Sequence, residues 1–170
     1  MSLELHTVAG QDLDPDKWDA FIEASPQGSL YHLHGYASRI RPDWQAWIVQ
    51  EGDQWRAVMP WGLDRRWGFR LVRQPLFAQY WGICLAPTEG GTYRQLGDQE
   101  KWLRALLPAW EEIPFLQHNF SPAFTYALPL RWAAAVDFSV RYTYHLDLQA
   151  GGLWEGCAAP LRRQVRKATR

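Results

Sequence analysis

Cysteine is scarce in this chain. Cys84 and Cys157 stand far apart with no paired spacing, which argues against a disulfide framework and against a zinc site built from spaced thiolates. Net charge is also missing: 18 Lys and Arg face 18 Asp and Glu, so a globally basic nucleic-acid binder is not expected. Lysine itself is rare, three residues against fifteen arginines. No apolar run approaches the ~20 residues of a transmembrane helix. The opening MSLELHTVAG has neither the basic region nor the apolar stretch of a secretory signal. The expected compartment is the cytoplasm, and no membrane span is expected.

Familiar catalytic signatures are absent as well. There is no Gly-x-Ser-x-Gly elbow, neither Cys has a base nearby in sequence, and no Walker or dinucleotide-type glycine loop occurs. A Gln/Arg-x-x-Gly-x-Gly/Ala turn, which cradles a coenzyme A pyrophosphate, is missing too. Its nearest imitation, Arg65-Arg66-Trp67-Gly68-Phe69-Arg70, lacks the final small residue. His32 and His34 sit two apart without a third ligand, so they read as polar residues at a loop or helix start and not as a metal site. Glu111 and Glu112 are adjacent and cannot face one another.

What is present is apolar and aromatic. A hydrophobic fraction of 47% with eleven Trp in 170 residues requires a packed core. Asp14 can cap a helix with Pro15 at its first position and Trp18, Phe21 and Ile22 on one stripe. A first strand is expected from Leu3 to Val8, and a second helix around His34 to Ile40. A hairpin follows: Trp44 to Gln50, a turn at Glu51, Gly52 and Asp53, then Trp55 to Asp64, with Trp55, Ala57, Met59, Trp61 and Leu63 on one face. Further strands are expected near Phe69 to Arg73 and Phe115 to Phe120. Asp98 can open a helix that buries Trp102, Leu103, Leu106, Leu107 and Trp110. From Val136 to Gln149 apolar and polar residues alternate without a break, the period of a half-buried strand. This order predicts an α/β (α+β) fold, a mixed, mostly antiparallel sheet with helices packed on it.

Charge is unevenly placed. Residues 1–160 hold 13 basic and 18 acidic residues, whereas 161–170 hold five basic and none acidic. Leu153 to Arg170 is expected to be one helix. On it Arg162 and Arg166 share a stripe, as do Arg163 and Lys167. Two arginines one turn apart can fork around a phosphate or carboxylate; cations near a helix C-terminus also simply suit its dipole. The tryptophans fall mostly on periodic faces, where a core wants them. Tyr80 and Trp81 are different, lying in the irregular segment PLFAQYWGICL, and aromatics in such loops are better site candidates. His145, beside Thr143 and Asp147, belongs to the polar face of the expected long strand.

Three segments together resemble a known family. WDAFIEASPQGSLYHLHGYASRI (Trp18 to Ile40) resembles the opening of Fem-type proteins, and PLFAQYWGICL (Pro75 to Leu85) resembles their Tyr-x-Gly-hydrophobic segment. TYHLDL (Thr143 to Leu148), followed by LWEG and LRRQVRKA (Leu153 to Ala168), resembles the strand and basic helix that lead to the family's second lobe. This is the FemAB-like branch of the GNAT superfamily, which includes peptidoglycan-bridge aminoacyltransferases. The resemblance implies a GNAT-like lobe over residues 1–150 and a basic interlobe helix over 151–170, leading to a second lobe or completed by a second copy of the chain. It implies direct attack by an acceptor amine on a thioester or aminoacyl ester, with acyl-CoA or aminoacyl-tRNA as donor for the complete enzyme and no cofactor held by this lobe. By position, it assigns acceptor binding to Arg39, Tyr80, Arg162, Arg163 and Arg166, and Trp81 joins them as the second aromatic of the irregular segment. Nucleic acid is not an expected partner, since no coiled-coil arm is present. The rival readings are a non-catalytic, aromatic-rich ligand- or carbohydrate-binding module and an interaction domain whose basic tail docks on an acidic surface.

Overall fold

The computed structural model describes residues 2–111, 113–133, 136–142 and 151–168. The chain forms two compact units, Met1–Asp137 and Phe138–Arg170. In chain order the first holds β1 (Leu3–Ala9), α1 (Pro15–Ala24), α2 (His34–Ile40), β2 (Gln45–Glu51), β3 (Gln54–Trp61), β4 (Leu63–Arg66) and β5 (Phe69–Arg73). It continues with β6 (Cys84–Leu85), α3 (Thr92–Leu106), α4 (Pro108–Glu111), β7 (Leu116–Gln117) and α5 (Leu128–Ala133). The second unit holds α6 (Leu153–Gly156) and α7 (Ala159–Ala168).

Two sheets carry the first unit, ordered β1-β2-β3-β6 and β4-β5-β7. Every pairing is antiparallel except β5 with β7, which is parallel. The fold is therefore mixed α/β with a mostly antiparallel sheet and helices packed on it. The two-residue period of β2 and β3 divides the core. Ala46, Ile48 and Val58 meet Trp18, Ile22 and Ala37 of α1 and α2. Trp47, Val49, Ala57 and Met59 meet Trp102, Leu103 and Leu106 of α3. The sheet thus lies between two helical layers.

Local chemistry explains the helix ends. Asp14 Oδ1 accepts from the N–H of Asp16 at 3.0 Å and of Lys17 at 3.3 Å, and Pro15 opens α1. Gly28 closes the turn that follows, because a Cβ there would stand 1.9 Å from the Ile22 carbonyl oxygen. Glu51 joins Arg56 at 3.1 Å and Lys101 at 2.8 Å, linking β2 to β3 and α3.

Four expectations change against the structure. Trp55 leaves the face of Ala57 and Met59, because the register between β2 and β3 shifts at Val49/Gln50. The extra residue of a β-bulge reverses the alternation beyond it. Trp55 accordingly packs edge-on to Trp18 at 6.2 Å and Phe21 at 6.1 Å, while Arg56 lies 5.8 Å from the Trp102 ring on the opposite side. Second, α3 starts at Thr92 and not at Asp98, running through Gly97; one glycine costs a helix only about 1 kcal/mol. Third, the basic segment is two helices, since Gly156 ends α6 and Pro160 falls in the first turn of α7, where its missing N–H costs nothing. Fourth, residues 136–142 form no strand. Alternation supplies two faces but not a neighbouring strand to receive the hydrogen bonds, and Val140 and Tyr142 are 80% and 93% exposed. The remainder of the expected strand, with His145, lies outside the described residues.

Candidate functional site

Two groups of side chains with chemical potential emerge, one in each unit. In the first unit, α2 carries Tyr36 and Arg39 at i, i+3, so they share a helix face. The Tyr36 hydroxyl donates to the Phe77 carbonyl at 2.8 Å. Its ring meets Tyr31 edge-on at 5.6 Å, and Tyr31 in turn meets Tyr80 at 6.2 Å. Tyr80 is therefore the half-buried end of a tyrosine trio. Tyr31 was not among the expected site residues; its neighbours alternate between histidine and leucine, and nothing in that local pattern points to Tyr80.

Arg39 is exposed, and no carboxylate pairs with it among the described residues. Arg41, two residues on, is engaged instead. It meets Asp43 at 2.8 Å and Asp64 at 2.7 Å, and Arg73 grips the other Asp64 oxygen at 3.0 Å. Burial alone would lower the Arg41 pKa, but hydrogen bonds and charge from Asp64 and Asp43 outweigh it and hold the pKa above its ordinary value. Burial likewise pushes Asp64 upward, and Arg41 and Arg73 overcome this to hold its carboxyl below the usual range.

Trp81 corrects an expectation. It is wholly buried and belongs to the core with Trp18, Trp44 and Cys84, so its ring presents no surface to a ligand. The irregular segment around it places an aromatic inward because its backbone bonds elsewhere: the Trp81 N–H donates to the Asn119 carbonyl at 3.0 Å. The adjacent His118 Nδ1–H donates to the Trp81 carbonyl, while His32 stacks on the Trp81 ring at 6.3 Å with 14° between planes. His118 Nε2 and Trp81 Nε1 are buried and have no hydrogen-bond partner among the described residues. Burial pushes the pKa of His32 down to about 4, partly opposed by the Gly82 backbone. Burial also pushes His118 down to about 4, opposed by the Trp81 carbonyl and reinforced by His32. Both imidazoles are neutral near pH 7. His34 is a separate case, its Nε2–H donating to the Gly10 carbonyl at 2.9 Å. Burial raises the Cys84 thiol to about 12, so it is not a nucleophile at neutral pH.

In the second unit, α7 shows a shallow groove of about 700 Å³ lined by Ala159, Arg162, Arg163, Arg166 and Lys167. Every charged residue of that lining is basic. Arg162 Nη1 donates to the Glu155 carbonyl at 3.2 Å, which fixes the guanidinium along the helix. Arg166 lies 5.7 Å from the Trp154 ring, a cation–π contact that orients it. The groove thus gathers Arg162, Arg163, Arg166 and Lys167, the four cations that the sequence spacing sets on two stripes of one helix. A surface of this kind can hold a phosphate or carboxylate by forked, charge-assisted hydrogen bonds.

Among the described residues seven tryptophans are buried: Trp18, Trp44, Trp47, Trp61, Trp81, Trp102 and Trp110. Their faces are spent on the core, which removes the basis for an aromatic carbohydrate platform built from them. No group of three His, Cys, Asp or Glu among the described residues is placed to hold a metal ion. Among them, too, no helix is long and apolar enough to cross a membrane.

No family model matches the chain, and no curated protein matches it. Several solved structures do. A ribosomal-protein-alanine N-acetyltransferase from Brucella melitensis biovar Abortus 2308 is 14% identical with a TM-score of 0.47, the match covering 85% of this chain and 100% of that one. An aminoglycoside acetyltransferase from an uncultured soil metagenomic sample, in complex with sisomicin, is 10% identical with a TM-score of 0.48, covering 85% and 95%. Glucosamine-6-phosphate N-acetyltransferase from Arabidopsis thaliana is 13% identical with a TM-score of 0.46, covering 86% and 100%.

Proposed function

We propose that this chain is the acceptor-binding lobe of a FemAB-like N-acyltransferase of the GNAT superfamily. The observation that carries the reading is the α7 groove, where Arg162, Arg163, Arg166 and Lys167 line one surface without an acidic side chain. The three family-like segments of the sequence supply the reaction class. An acceptor amine with an anionic part, such as a cell-wall precursor or a related metabolite, places its phosphate or carboxylate in the groove. Within the first lobe, the family resemblance adds Tyr80 and Arg39 as candidate acceptor contacts. The unprotonated amine attacks the acyl carbonyl of acyl-CoA or aminoacyl-tRNA. The new C–N bond forms, the C–S or C–O bond of the donor breaks, and the amine proton leaves to the departing thiolate or alkoxide. No covalent enzyme intermediate is needed, in keeping with the buried, protonated Cys84. A second lobe, or a second copy of the chain, supplies the donor site.

Calorimetric titration tests the acceptor role, with glucosamine 6-phosphate as a small amine bearing a phosphate and glucosamine as its phosphate-free counterpart. The phosphate ester binds more tightly. The Arg162→Ala, Arg163→Ala double variant loses that preference by about tenfold or more, since a hydrogen bond to a charged group is worth about 1.5–3 kcal/mol. Equal affinity for the two amines, or a double variant that binds like the parent, overturns the role of the groove.

A further inference from the structure

We propose that the tip of the β4–β5 hairpin is an anchor for membrane surfaces bearing anionic lipid headgroups. The tip is a two-residue turn, Trp67-Gly68, between the paired residues Arg66 and Phe69. Both turn residues have positive φ, 51° for Trp67 and 84° for Gly68. Such turns favour Asn-Gly, because Asn tolerates the left-handed region and a bulky side chain does not. Tryptophan is therefore the costlier choice for the fold here, and its ring contributes little to any core: Trp67 is 85% exposed and Phe69 66% exposed. Backbone strain kept at an exposed aromatic points to a role outside folding.

The surrounding charge defines the partner. Arg65, Arg66 and Arg70 are exposed, and no carboxylate occurs from Arg65 to Arg70. The nearest acid in sequence, Asp64, is already held by Arg41 and Arg73. The Arg66 guanidinium lies 4.4 Å from the centre of the Trp67 ring, so the cation and the aromatic form one unit. Tryptophan settles at the boundary between headgroups and acyl chains, where one end of the ring is apolar and the other wet. Arginine at the same level is drawn to anionic lipid, by about fivefold per charge in partitioning. A narrow convex tip suits insertion among headgroups. Single-stranded nucleic acid is bound instead along grooves lined with stacking platforms, and the first 160 residues carry a net charge of −5, which disfavours a long polyanion lying across the protein.

Co-sedimentation with unilamellar vesicles tests the anchor, comparing phosphatidylcholine alone with phosphatidylcholine carrying about 30 mol% phosphatidylglycerol. The 170-residue protein pellets with the anionic vesicles. Trp67→Asn lowers the partition coefficient about tenfold or more, by removing the buried ring area, and keeps or raises the urea midpoint because Asn suits the turn. Arg66→Gln lowers partitioning about fivefold and flattens its salt dependence. Tyr93→Ala, which removes an aromatic that is 94% exposed on α3, changes neither. Equal partitioning onto the two vesicle types overturns the proposal, as does a Trp67→Asn protein that binds like the parent. So does binding of a single-stranded RNA oligonucleotide, or self-association, that disappears in Trp67→Asn while vesicles are not bound.

Discussion

Acidification should destabilise this protein in a window that the two buried imidazoles define. His32 and His118 both have folded-state pKa values of about 4 against an ordinary 6.5. Between those limits the unfolded chain binds two protons that the folded chain refuses. Stability therefore rises with pH through the window, and it is lost as pH falls from 6.5 towards 4. At 1.36 kcal/mol per pH unit for each proton, the gap is worth about 3 kcal/mol for each histidine once fully expressed. Between pH 7 and pH 5 the pair should cost about 3–4 kcal/mol, a large fraction of the ~5–15 kcal/mol that holds a domain together. The Asp64 carboxylate is held below its usual 3.8, so its own loss of stability falls beneath this range. Urea unfolding at pH 7, 6 and 5, with tryptophan fluorescence as the probe, measures the effect. His118→Asn keeps a donor for the Trp81 carbonyl and cannot be protonated, so it should roughly halve the pH dependence. A midpoint that stays flat from pH 7 to 5, or an unchanged pH dependence in that variant, would refute the reasoning.

Two further outcomes test the fold. Gln27 is buried, with Oε1 accepting from the Leu85 N–H at 3.0 Å and Nε2 donating to the Ala123 carbonyl at 3.3 Å. Gln27→Leu strands both backbone groups and should lower unfolding stability by about 2–4 kcal/mol at an unchanged urea m-value; a loss under about 1 kcal/mol would show that the site relaxes around the leucine. Asp14→Ala removes the acceptor for two N–H groups at the start of α1 and should cost about 1 kcal/mol by thermal melting, with Asp14→Ser restoring most of it.

Much of this architecture is written in local chemistry. Asp14-Pro15 announces α1, and α2 runs from His34 to Ile40 as its spacing implies. The Gly52-Asp53 turn likewise marks the β2–β3 hairpin. What periodicity misses is decided by partners distant in sequence. The bulge that turns Trp55 over follows from the pairing of β2 with β3, which no single-strand pattern encodes. Trp81 is drawn inward because the chain at Asn119 arrives to satisfy its backbone, a contact across 38 positions. The alternating run from Val136 has the pattern of a strand, yet at 136–142 it forms no ladder. For the site, the i, i+4 spacing of the α7 arginines was legible directly, because a single helix sets their geometry. The tyrosine trio was not, since three loops or helices have to converge to make it.

One carboxylate ties together parts of the molecule that would otherwise answer to different neighbours. Asp64 stands at the root of β4, where Arg41 reaches it from just past the end of α2 and Arg73 from the end of β5. The β4–β5 ribbon is thereby tied, through charge-assisted hydrogen bonds on both oxygens of one carboxylate, to the chain that leaves the helix bearing Tyr36 and Arg39. Removing that carboxylate would leave two arginines facing each other without their shared counter-charge, so the join depends on this one side chain.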